Sequence, residues 1–372
     1  MAGLYVHIPF CKSRCVYCGF YSTTLDSMRQ KYVDALVGEL GLREGYCDSR
    51  WDTVYLGGGT PSSLDARQLE TLFSAIDCSV AREITMECNP DDVDETFAEM
   101  VAGLPVNRVS MGAQTFDDNR LRFLRRRHSA SDVAKAVGRL RDAGIRNISV
   151  DLMYGFPNET MDDWQRDIDK ALELDVEHLS AYCLMYEEGT SLFKMREEGR
   201  VAEADEELTR SMYYRLIDRL EVSGYEHYEV SNFARQGKRS LHNSSYWTGI
   251  PYMGIGAAAH SYDGKSRQWN VDDLLIYINK VEKGILPFSK EDLDDDERYN
   301  DMVMLSLRRR EGIDLCRMER EFGIAAVEEC LAISRQFVET GLLAIDCSHV
   351  RLTREGLYVS DMVMSELMRV SD

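Results

Sequence analysis

The 372-residue chain is long enough for two ordinary domains or for one large barrel with an appendage. A hydrophobic fraction of 44% supports a sizeable core, which excludes general disorder, and 29% of the residues are charged. The 64 acidic and 44 basic side chains give a formal net charge of −20, which argues against nucleic acid or an anionic membrane surface as the main partner.

The N-terminus and the uncharged stretches of the chain predict a cytoplasmic protein. Residues 1–10 lack the basic region of a secretory signal, and His7 and Pro9 interrupt their apolar run. The longest stretch free of Asp, Glu, Lys and Arg, residues 240–262, is cut by glycines and by Pro251. We therefore expect no transmembrane segment. We also expect ten reduced cysteines, whose clustering would indicate metal or redox chemistry.

Short apolar segments alternate with amphipathic ones through the first 190 residues. The apolar segments predict strands at 4–8, 53–56, 83–87, 106–111, 145–151 and 178–184. The amphipathic segments predict helices at 28–43, 66–76, 93–102, 131–143 and 161–174. Six strand-plus-helix units predict a parallel sheet curled into a full or partial α/β barrel, with an open doubly wound sheet as the alternative.

The pattern changes after residue 186. A long charged helix is predicted at 204–222 and a strand at 225–230, followed by a glycine-rich loop region. The acidic run 291–297 predicts a solvated linker or a helix N-terminus. Beyond it we predict helices at 298–310 and 324–339, a short hairpin at 342–345 and 350–353, and a last helix at 356–368.

Three regions follow from this order: a core barrel at 1–235, a connecting region at 236–290 and a C-terminal domain at 291–372. Helices followed by a small hairpin predict a winged-helix-like shape for the last region. Nucleic-acid binding is the usual association of that shape, but the acidic charge of the chain disfavours it.

Three cysteines, Cys11, Cys15 and Cys18, stand within eight residues directly after the first predicted strand. Their spacings of four and three residues let one loop wrap a single centre. Three thiolates leave the fourth corner of a cubane iron–sulfur cluster open to a small molecule. A tetrahedral zinc site is the alternative, and it would need a fourth ligand such as His7 or Cys88.

The spacing C-x3-C-x2-C after a first strand resembles the signature of the radical S-adenosylmethionine (SAM) superfamily. The remaining motifs narrow the resemblance to the anaerobic coproporphyrinogen III oxidase family, over essentially the whole chain. The resemblance implies a partial (β/α)6 TIM-like barrel of the radical SAM type with a winged-helix-like α+β appendage. It also implies a [4Fe-4S] cluster on Cys11, Cys15 and Cys18, whose open iron the amine and carboxylate of SAM chelate.

Motifs of this family stand at several strand ends. The second strand runs into Gly57, Gly58 and Gly59, which permit a close ligand or form a tight turn. The third ends in Glu87, a carboxylate that faces a ligand or caps a helix. By resemblance, the SAM-binding positions are Tyr5, Tyr17, Gly58, Gly59, Thr60, Glu87, Gln114, Arg126 and Asp151. Considered alone, either Tyr5 or Tyr17 would be interpreted as an ordinary side chain of the hydrophobic core.

Most of these positions follow the carboxyl ends of different predicted strands. Asp151 closes an otherwise apolar run. Arg126, the middle one of three adjacent arginines, offers a guanidinium suited to a carboxylate. In a parallel α/β barrel the carboxyl ends of the strands share one face, where binding sites are built. The joint placement therefore predicts one site at that face.

Two departures separate the chain from the oxidases that it resembles. Those oxidases have a further cysteine two positions after the third, and a longer N-terminal extension. Here Phe20 occupies the position of that further cysteine, and the first cysteine of the motif is already residue 11, which leaves little room for the extension. Both differences argue against oxidative decarboxylation of a porphyrinogen. Both departures match the haem-chaperone branch of the family.

The chaperone branch implies a protein that binds the cluster, SAM and haem and transfers haem to acceptor proteins, with respiratory proteins among the candidates. A radical SAM oxidoreductase acting on coproporphyrinogen III or a related tetrapyrrole is the alternative. A zinc-stabilised binding module is a third hypothesis. A homodimer is left open.

The segment His242-Asn243-Ser244-Ser245-Tyr246-Trp247 carries a motif associated with haem binding in the chaperone branch. Imidazole is a usual axial ligand of haem iron, and neighbouring aromatic side chains can pack on a porphyrin face. His242 is therefore the haem candidate. The alternative is that His242 hydrogen-bonds a loop and Trp247 fills core.

The six other cysteines show no ligand spacing, and we expect them to be small buried side chains. They are Cys47, Cys78, Cys183, Cys316, Cys330 and Cys347.

Overall fold

The computed structural model describes residues 2–46, 50–346 and 348–370 of the chain. Its core consists of parallel strands joined by helices, as the alternating pattern predicts. The strands are β1 (Ala2–Ile8), β2 (Trp51–Gly58), β3 (Glu83–Cys88), β4 (Arg108–Gln114), β5 (Ile148–Tyr154) and β6 (His178–Cys183). The helices are α1 (Arg29–Leu42), α2 (Ala66–Ala75), α3 (Glu95–Ala102), α4 (Asp118–Phe123), α5 (Ala130–Asp142), α6 (Met161–Glu173), α7 (Ser191–Glu197) and α8 (Glu206–Val222).

Strands β1 to β6 lie side by side in chain order, and each pairs with the next in parallel. These strands are buried along most of their length, which explains why they read as continuous apolar runs. A doubly wound sheet would reverse its strand order at its centre. The sequential order confirms the predicted α/β barrel, and the doubly wound alternative is wrong.

Short polar side chains fix where several barrel helices begin. Asp65 accepts a hydrogen bond from the Gln68 amide, and the Gln68 side chain accepts one from the Asp65 amide. Thr160 and Asp163 make the same reciprocal pair before α6. Such pairs satisfy amides that the first helical turn leaves unpaired, and each contributes about 1 kcal/mol.

The chain after α8 adds strands to both edges of the parallel sheet. Strands β8 and β7 pair antiparallel beyond β6, whereas β9 lies parallel beside β1 and is followed outward by β10, β11 and β12. The elements are β7 (Glu226–Glu229), β8 (Asn232–Ala234), α9 (Leu241–Trp247), β9 (Tyr252–Ile255), β10 (His260–Tyr262), β11 (Ser266–Asn270), α10 (Leu274–Glu282) and β12 (Phe288–Asp292).

The prediction of a loop region at 240–262 is wrong. This stretch contains α9, β9 and β10, and its residues Met253, Ile255 and Ala257 belong to the barrel core. The glycines that suggested a loop allow close contacts instead: a Cβ at Gly254 would lie 2.1 Å from the His260 carbonyl oxygen. Seven buried side chains of residues 253–281 share one core with the barrel, namely Met253, Ile255, Ala257, Leu274, Tyr277, Ile278 and Val281. The division at 235/236 stays a prediction.

The C-terminal region has a hydrophobic core of its own. The acidic run starts a helix, because Asp294 caps the first turn of α11. Strands β13, β15 and β14 form a small antiparallel sheet, which agrees with the predicted hairpin. The predicted last helix is broken at Val359 into two. The elements are α11 (Asp295–Leu307), β13 (Ile313–Asp314), α12 (Leu315–Phe322), α13 (Ile324–Glu339), β14 (Leu343–Ile345), β15 (His349–Leu352), α14 (Arg354–Tyr358) and α15 (Ser360–Leu367).

The scattered cysteines only partly follow the prediction of burial. Cys330 is buried, Cys78 is half-buried, and Cys183 and Cys316 are exposed, so the prediction is wrong for the last two. Cys47 and Cys347 lie outside the described residues. Within the described ranges, none of the helices has both the length and the apolar composition that crossing a membrane requires.

Candidate functional site

A cavity of about 640 Å³ lies among the carboxyl ends of the barrel strands and the cysteine loop. It brings together most of the residues that the sequence singled out. These are Cys11, Cys15, Cys18, Tyr17, Gly58, Gly59, Thr60, Glu87, Gln114, Arg126 and Asp151. Tyr5 and His242 are not among its lining residues.

The cysteine loop is anchored by backbone hydrogen bonds at both ends. The Cys11 amide donates to the Thr23 carbonyl oxygen at 2.9 Å, and the Val16 amide donates to Leu124 at 3.3 Å. All three thiols are half-buried. Burial raises the pKa values of Cys11 and Cys18, and the hydrogen bond between Cys11 and Thr60, 3.6 Å long, acts in the opposite direction for Cys11.

The donor set of the site consists of the three thiols of the cysteine loop. Among the described residues, no three Cys, His, Asp or Glu side chains converge as one ion would require. Both ring nitrogens of His7, a candidate fourth zinc ligand, are hydrogen-bonded, to Tyr5 and to the Tyr21 carbonyl oxygen. A cubane presents its iron atoms at separate corners, so its thiolates need not converge on one point. Three thiols on one loop beside an open cavity fit a cubane with one free iron.

The glycine turn after β2 is required by the packing of the chain. Gly58 has a φ of +106°, and a Cβ there would lie 2.4 Å from the His7 ring. A Cβ on Gly59 would lie 2.8 Å from the Pro9 carbonyl carbon. The glycines thus let the end of β2 lie directly against the end of β1, and this contact brings Thr60 to the cysteine loop.

Glu87 lies at the end of β3 and faces the cavity. The Tyr55 hydroxyl donates to its Oε1 at 2.6 Å, and the Gly58 amide donates to Oε2 at 3.2 Å. Burial raises the pKa of Glu87 to about 7, and these two hydrogen bonds act in the opposite direction. These contacts leave no role for Glu87 as a helix cap, which was the sequence alternative.

Arg126 is the arginine of the triplet that contacts the cysteine loop. Its Nη1 lies 3.7 Å from the Cys15 sulfur, and its Nη2 donates to Asn89 Oδ1 at 2.7 Å and to the Gly112 carbonyl oxygen at 2.6 Å. Arg127 instead pairs with Asp91. A guanidinium bound mainly to neutral acceptors keeps charge available for an incoming anion.

Gln114 and Asp151 complete the polar wall. The pairing register of β4 and β5 shifts between Gly112 and Gln114, and Gln114 has a φ of +68°. Asp151, on β5, also lines the cavity. Burial raises the pKa of Asp151, and hydrogen bonds from Ser180 and Ser110 act in the opposite direction.

Tyr5 lies one layer behind the cavity wall. Its hydroxyl is 3.0 Å from His7 Nδ1, and its ring stacks on Tyr55 at a centroid separation of 6.2 Å. Tyr55 lines the cavity. A direct contact between Tyr5 and SAM therefore stays a prediction.

His242 is fully buried near the starts of β1 and β2. Its Nδ1 is 2.8 Å from Thr53 Oγ1, its Nε2 is 2.7 Å from the Tyr246 hydroxyl, and its ring stacks on Tyr55 at 5.0 Å. Burial lowers its pKa to about 3. Both ring nitrogens are engaged, by a strand residue and a helix residue and not by the loop that the alternative named, so axial ligation of haem would first require the ring to be released. Trp247 is half-buried against Arg308.

Three lining residues were missed by sequence reasoning. Tyr55 reads as an ordinary strand residue, although it holds Glu87. Asn89 follows β3 and positions Arg126. Arg108 begins β4 and is fully buried. The first two stand near recognised motifs, whereas an arginine at the start of a strand carries no sequence signal of burial.

Comparisons with known proteins agree with this geometry. Residues 5–171 match the Radical SAM superfamily, and residues 293–359 match the HemN C-terminal domain. Fold, cysteine loop and cavity thus define a radical SAM protein, a class that implies a [4Fe-4S] cluster and SAM.

The relatives narrow the class. The "Heme chaperone HemW" of Bacillus subtilis is 33% identical over 99% of both chains. "Radical S-adenosyl methionine domain-containing protein 1, mitochondrial" of Danio rerio is 31% identical over 99% of this chain and 87% of its own. The chain belongs to the HemW family of the radical SAM superfamily, which confirms the resemblance stated above.

A solved structure shows the same fold. Coproporphyrinogen III oxidase (HemN) from Escherichia coli superposes with a TM-score of 0.85, at 22% identity, over 99% of this chain and 90% of its own.

Proposed function

We propose that this protein is a haem chaperone of the radical SAM type, which binds a [4Fe-4S] cluster, SAM and haem and transfers haem to acceptor proteins. The observation that carries the proposal is the end-to-end similarity to a relative named as a heme chaperone. Phe20 supports it, because the oxidases have a cysteine at this position. Respiratory haem proteins are the first acceptors to test.

The cavity supplies a reasonable role for each proposed SAM residue. The thiolates of Cys11, Cys15 and Cys18 would hold the cluster, which when bound supplies an electron and one open iron. Arg126, next to Cys15, would balance the carboxylate of SAM. The remaining positions would orient SAM and exclude water, namely Tyr17, Gly58, Gly59, Thr60, Glu87, Gln114 and Asp151, with Tyr5 behind them.

Anaerobic reconstitution separates the chaperone from the oxidase. The cluster-loaded protein is incubated with SAM, a reductant and coproporphyrinogen III, and in a parallel sample with haem and an apo-haemoprotein. We expect haem to appear in the acceptor and no protoporphyrinogen to form. Formation of protoporphyrinogen would contradict the chaperone proposal.

The role of His242 needs a matched control, because its removal also disturbs packing. His178 is an equally buried histidine with two hydrogen bonds, 2.8 Å to Ser149 and 2.8 Å to Tyr228. If His242 ligates haem, His242→Ala should weaken haem binding in a titration and His178→Ala should not. Equal losses in both variants would show that His242 acts only through the fold.

A further inference from the structure

One buried side chain of the cavity, Arg108, has no part in the cluster or SAM assignments. It is 1% exposed and lines the cavity together with Ser110 and Gly112, as alternate residues on one face of a strand do. Gln114 lines the same cavity at the other end of β4. The cavity is therefore lined by residues along β4 as well as by the cysteine loop.

The guanidinium of Arg108 lacks the partners that a buried cation needs. Its Nε and Nη1 atoms are buried and have no hydrogen-bond partner among the described residues. Glu87 and Asp151 are close enough for the charge of Arg108 to lower their pKa values. The two oxygens of Glu87 are bonded to Tyr55 and Gly58, and Ser180 and Ser110 donate hydrogen bonds to Asp151, so among the described residues neither carboxylate forms an ion pair with Arg108. An unpaired guanidinium is strongly unfavourable inside a protein, so its retention points to an anion that completes it.

The mouth of the same cavity has a different character. Phe20 and Met185 line it and are 67% and 60% exposed. Large apolar side chains left open to solvent at a cavity rim are typical of a surface that an apolar ligand covers. The cavity therefore combines an apolar rim with a cation at depth. This combination is complementary to a flat apolar molecule that bears carboxylate arms.

We propose that Arg108 binds a carboxylate of a second ligand, a propionate side chain of a tetrapyrrole, in the cavity that also holds SAM. The proposal rests on the proposed function. A carboxylate placed in the cavity beside Arg108 would pair with the charge of its guanidinium and form charge-assisted hydrogen bonds with the part of it that lines the cavity. The carboxylate of SAM is the competing source of this chemistry. It is disfavoured because it must lie beside the cluster, where Arg126 already contacts Cys15.

Binding measurements on the full-length, cluster-reconstituted protein distinguish the two sources. The variants are Arg108→Gln, the charge-retaining Arg108→Lys, and Arg210→Gln, which removes an exposed arginine of α8 as a control. The probes are haem, haem with both propionates esterified, and SAM. We expect Arg108→Gln to weaken haem binding at least tenfold, Arg108→Lys to weaken it less, and Arg210→Gln to leave it unchanged. The esterified haem should bind wild type and Arg108→Gln equally, and SAM affinity should not change.

Each other result has a defined meaning. Unchanged haem affinity in Arg108→Gln would overturn the inference and leave the chaperone proposal standing, whereas a wild-type protein that binds no haem would overturn both. A loss confined to SAM would assign Arg108 to the SAM carboxylate and overturn the inference. Thermal unfolding serves as the folding control, and if neither Arg108 variant folds, Arg108 is a folding residue and the inference fails.

Discussion

At the scale of single residues, two half-buried ionisable side chains of the cavity are held by neutral groups. Glu87 accepts hydrogen bonds from a tyrosine hydroxyl and a backbone amide, and Arg126 donates to an amide oxygen and a backbone carbonyl. Neither forms an ion pair within the described residues that line the cavity. Hydrogen bonds to neutral groups hold a charged side chain in place without neutralising it, which suits a site that receives a zwitterionic ligand.

The pKa of Glu87 makes the stability of the apoprotein depend on pH. Because burial raises this pKa from 4.5 to about 7, protonated Glu87 favours the native state below pH 4.5, and that contribution is lost as the pH rises through 7. The difference between these two pKa values corresponds to about 3 kcal/mol in the free energy of unfolding. Urea unfolding at pH 5 and pH 8 should therefore show wild type losing stability relative to Glu87→Gln at the higher pH. An identical difference at both pH values would contradict the assignment.

The glycine turn predicts a sharp effect of one methyl group. Gly58→Ala places a Cβ against the His7 ring at a positive φ, so we expect a loss of about 3 kcal/mol in the free energy of unfolding. Gly138, exposed on α5 with no atom within 4 Å of its would-be Cβ, is the control. Gly138→Ala should stabilise by up to about 1 kcal/mol. Equal effects of the two substitutions in urea unfolding would rule out the strain argument.

At the scale of elements, α9 is tied to the start of the barrel strands by its N-terminus. Glu83, the first residue of β3, accepts hydrogen bonds from the Leu241 and His242 amides and from the Ser240 hydroxyl. The His242 ring bonds to Thr53 on β2. The helix that carries His242 is therefore part of the barrel structure, and release of the His242 ring would have to break its hydrogen bonds to Thr53 and Tyr246.

Weakening this attachment should loosen α9 selectively. Glu83→Gln removes the negative charge at the helix N-terminus and one acceptor, which we expect to cost about 1–2 kcal/mol. Glu70→Gln, on the exposed face of α2, is the control. Hydrogen exchange should become faster in the α9 amides of the first variant alone. Unchanged exchange there would show that Glu83 does not hold the helix.

At the scale of the whole molecule, the sequence predicts the barrel better than its additions. Strands β1 to β6 are buried on both faces, so each appears as an apolar run between helical patterns. Strands β9 and β10 are only a few residues long, and their glycines, required by backbone contacts such as that of Gly254, imitate a loop. Short strands that depend on distant partners leave no local periodicity to detect.

The candidate site likewise contains some residues that the sequence predicts and others that it does not. Residues at strand ends, such as Glu87 and Gln114, could be predicted because parallel strands bring their carboxyl ends to one face. Asp151 also lines the cavity, but the prediction that it ends its strand is wrong, because β5 continues to Tyr154. The positions of Tyr5 and His242 behind the cavity wall could not be predicted, because the face on which a side chain lies depends on the register of the whole barrel. Arg108 was missed for the same reason.

The most direct test of the account is the metal content of anaerobically reconstituted protein, with electron paramagnetic resonance of the reduced sample before and after SAM is added. We expect iron and sulfide in the ratio of a [4Fe-4S] cluster and a spectrum that changes when SAM binds. Cys15→Ser should lose the cluster, whereas Cys316→Ser, at an exposed cysteine, should keep it. Metal analysis that finds zinc and no iron would contradict the account, and so would a cluster whose spectrum does not change when SAM is added.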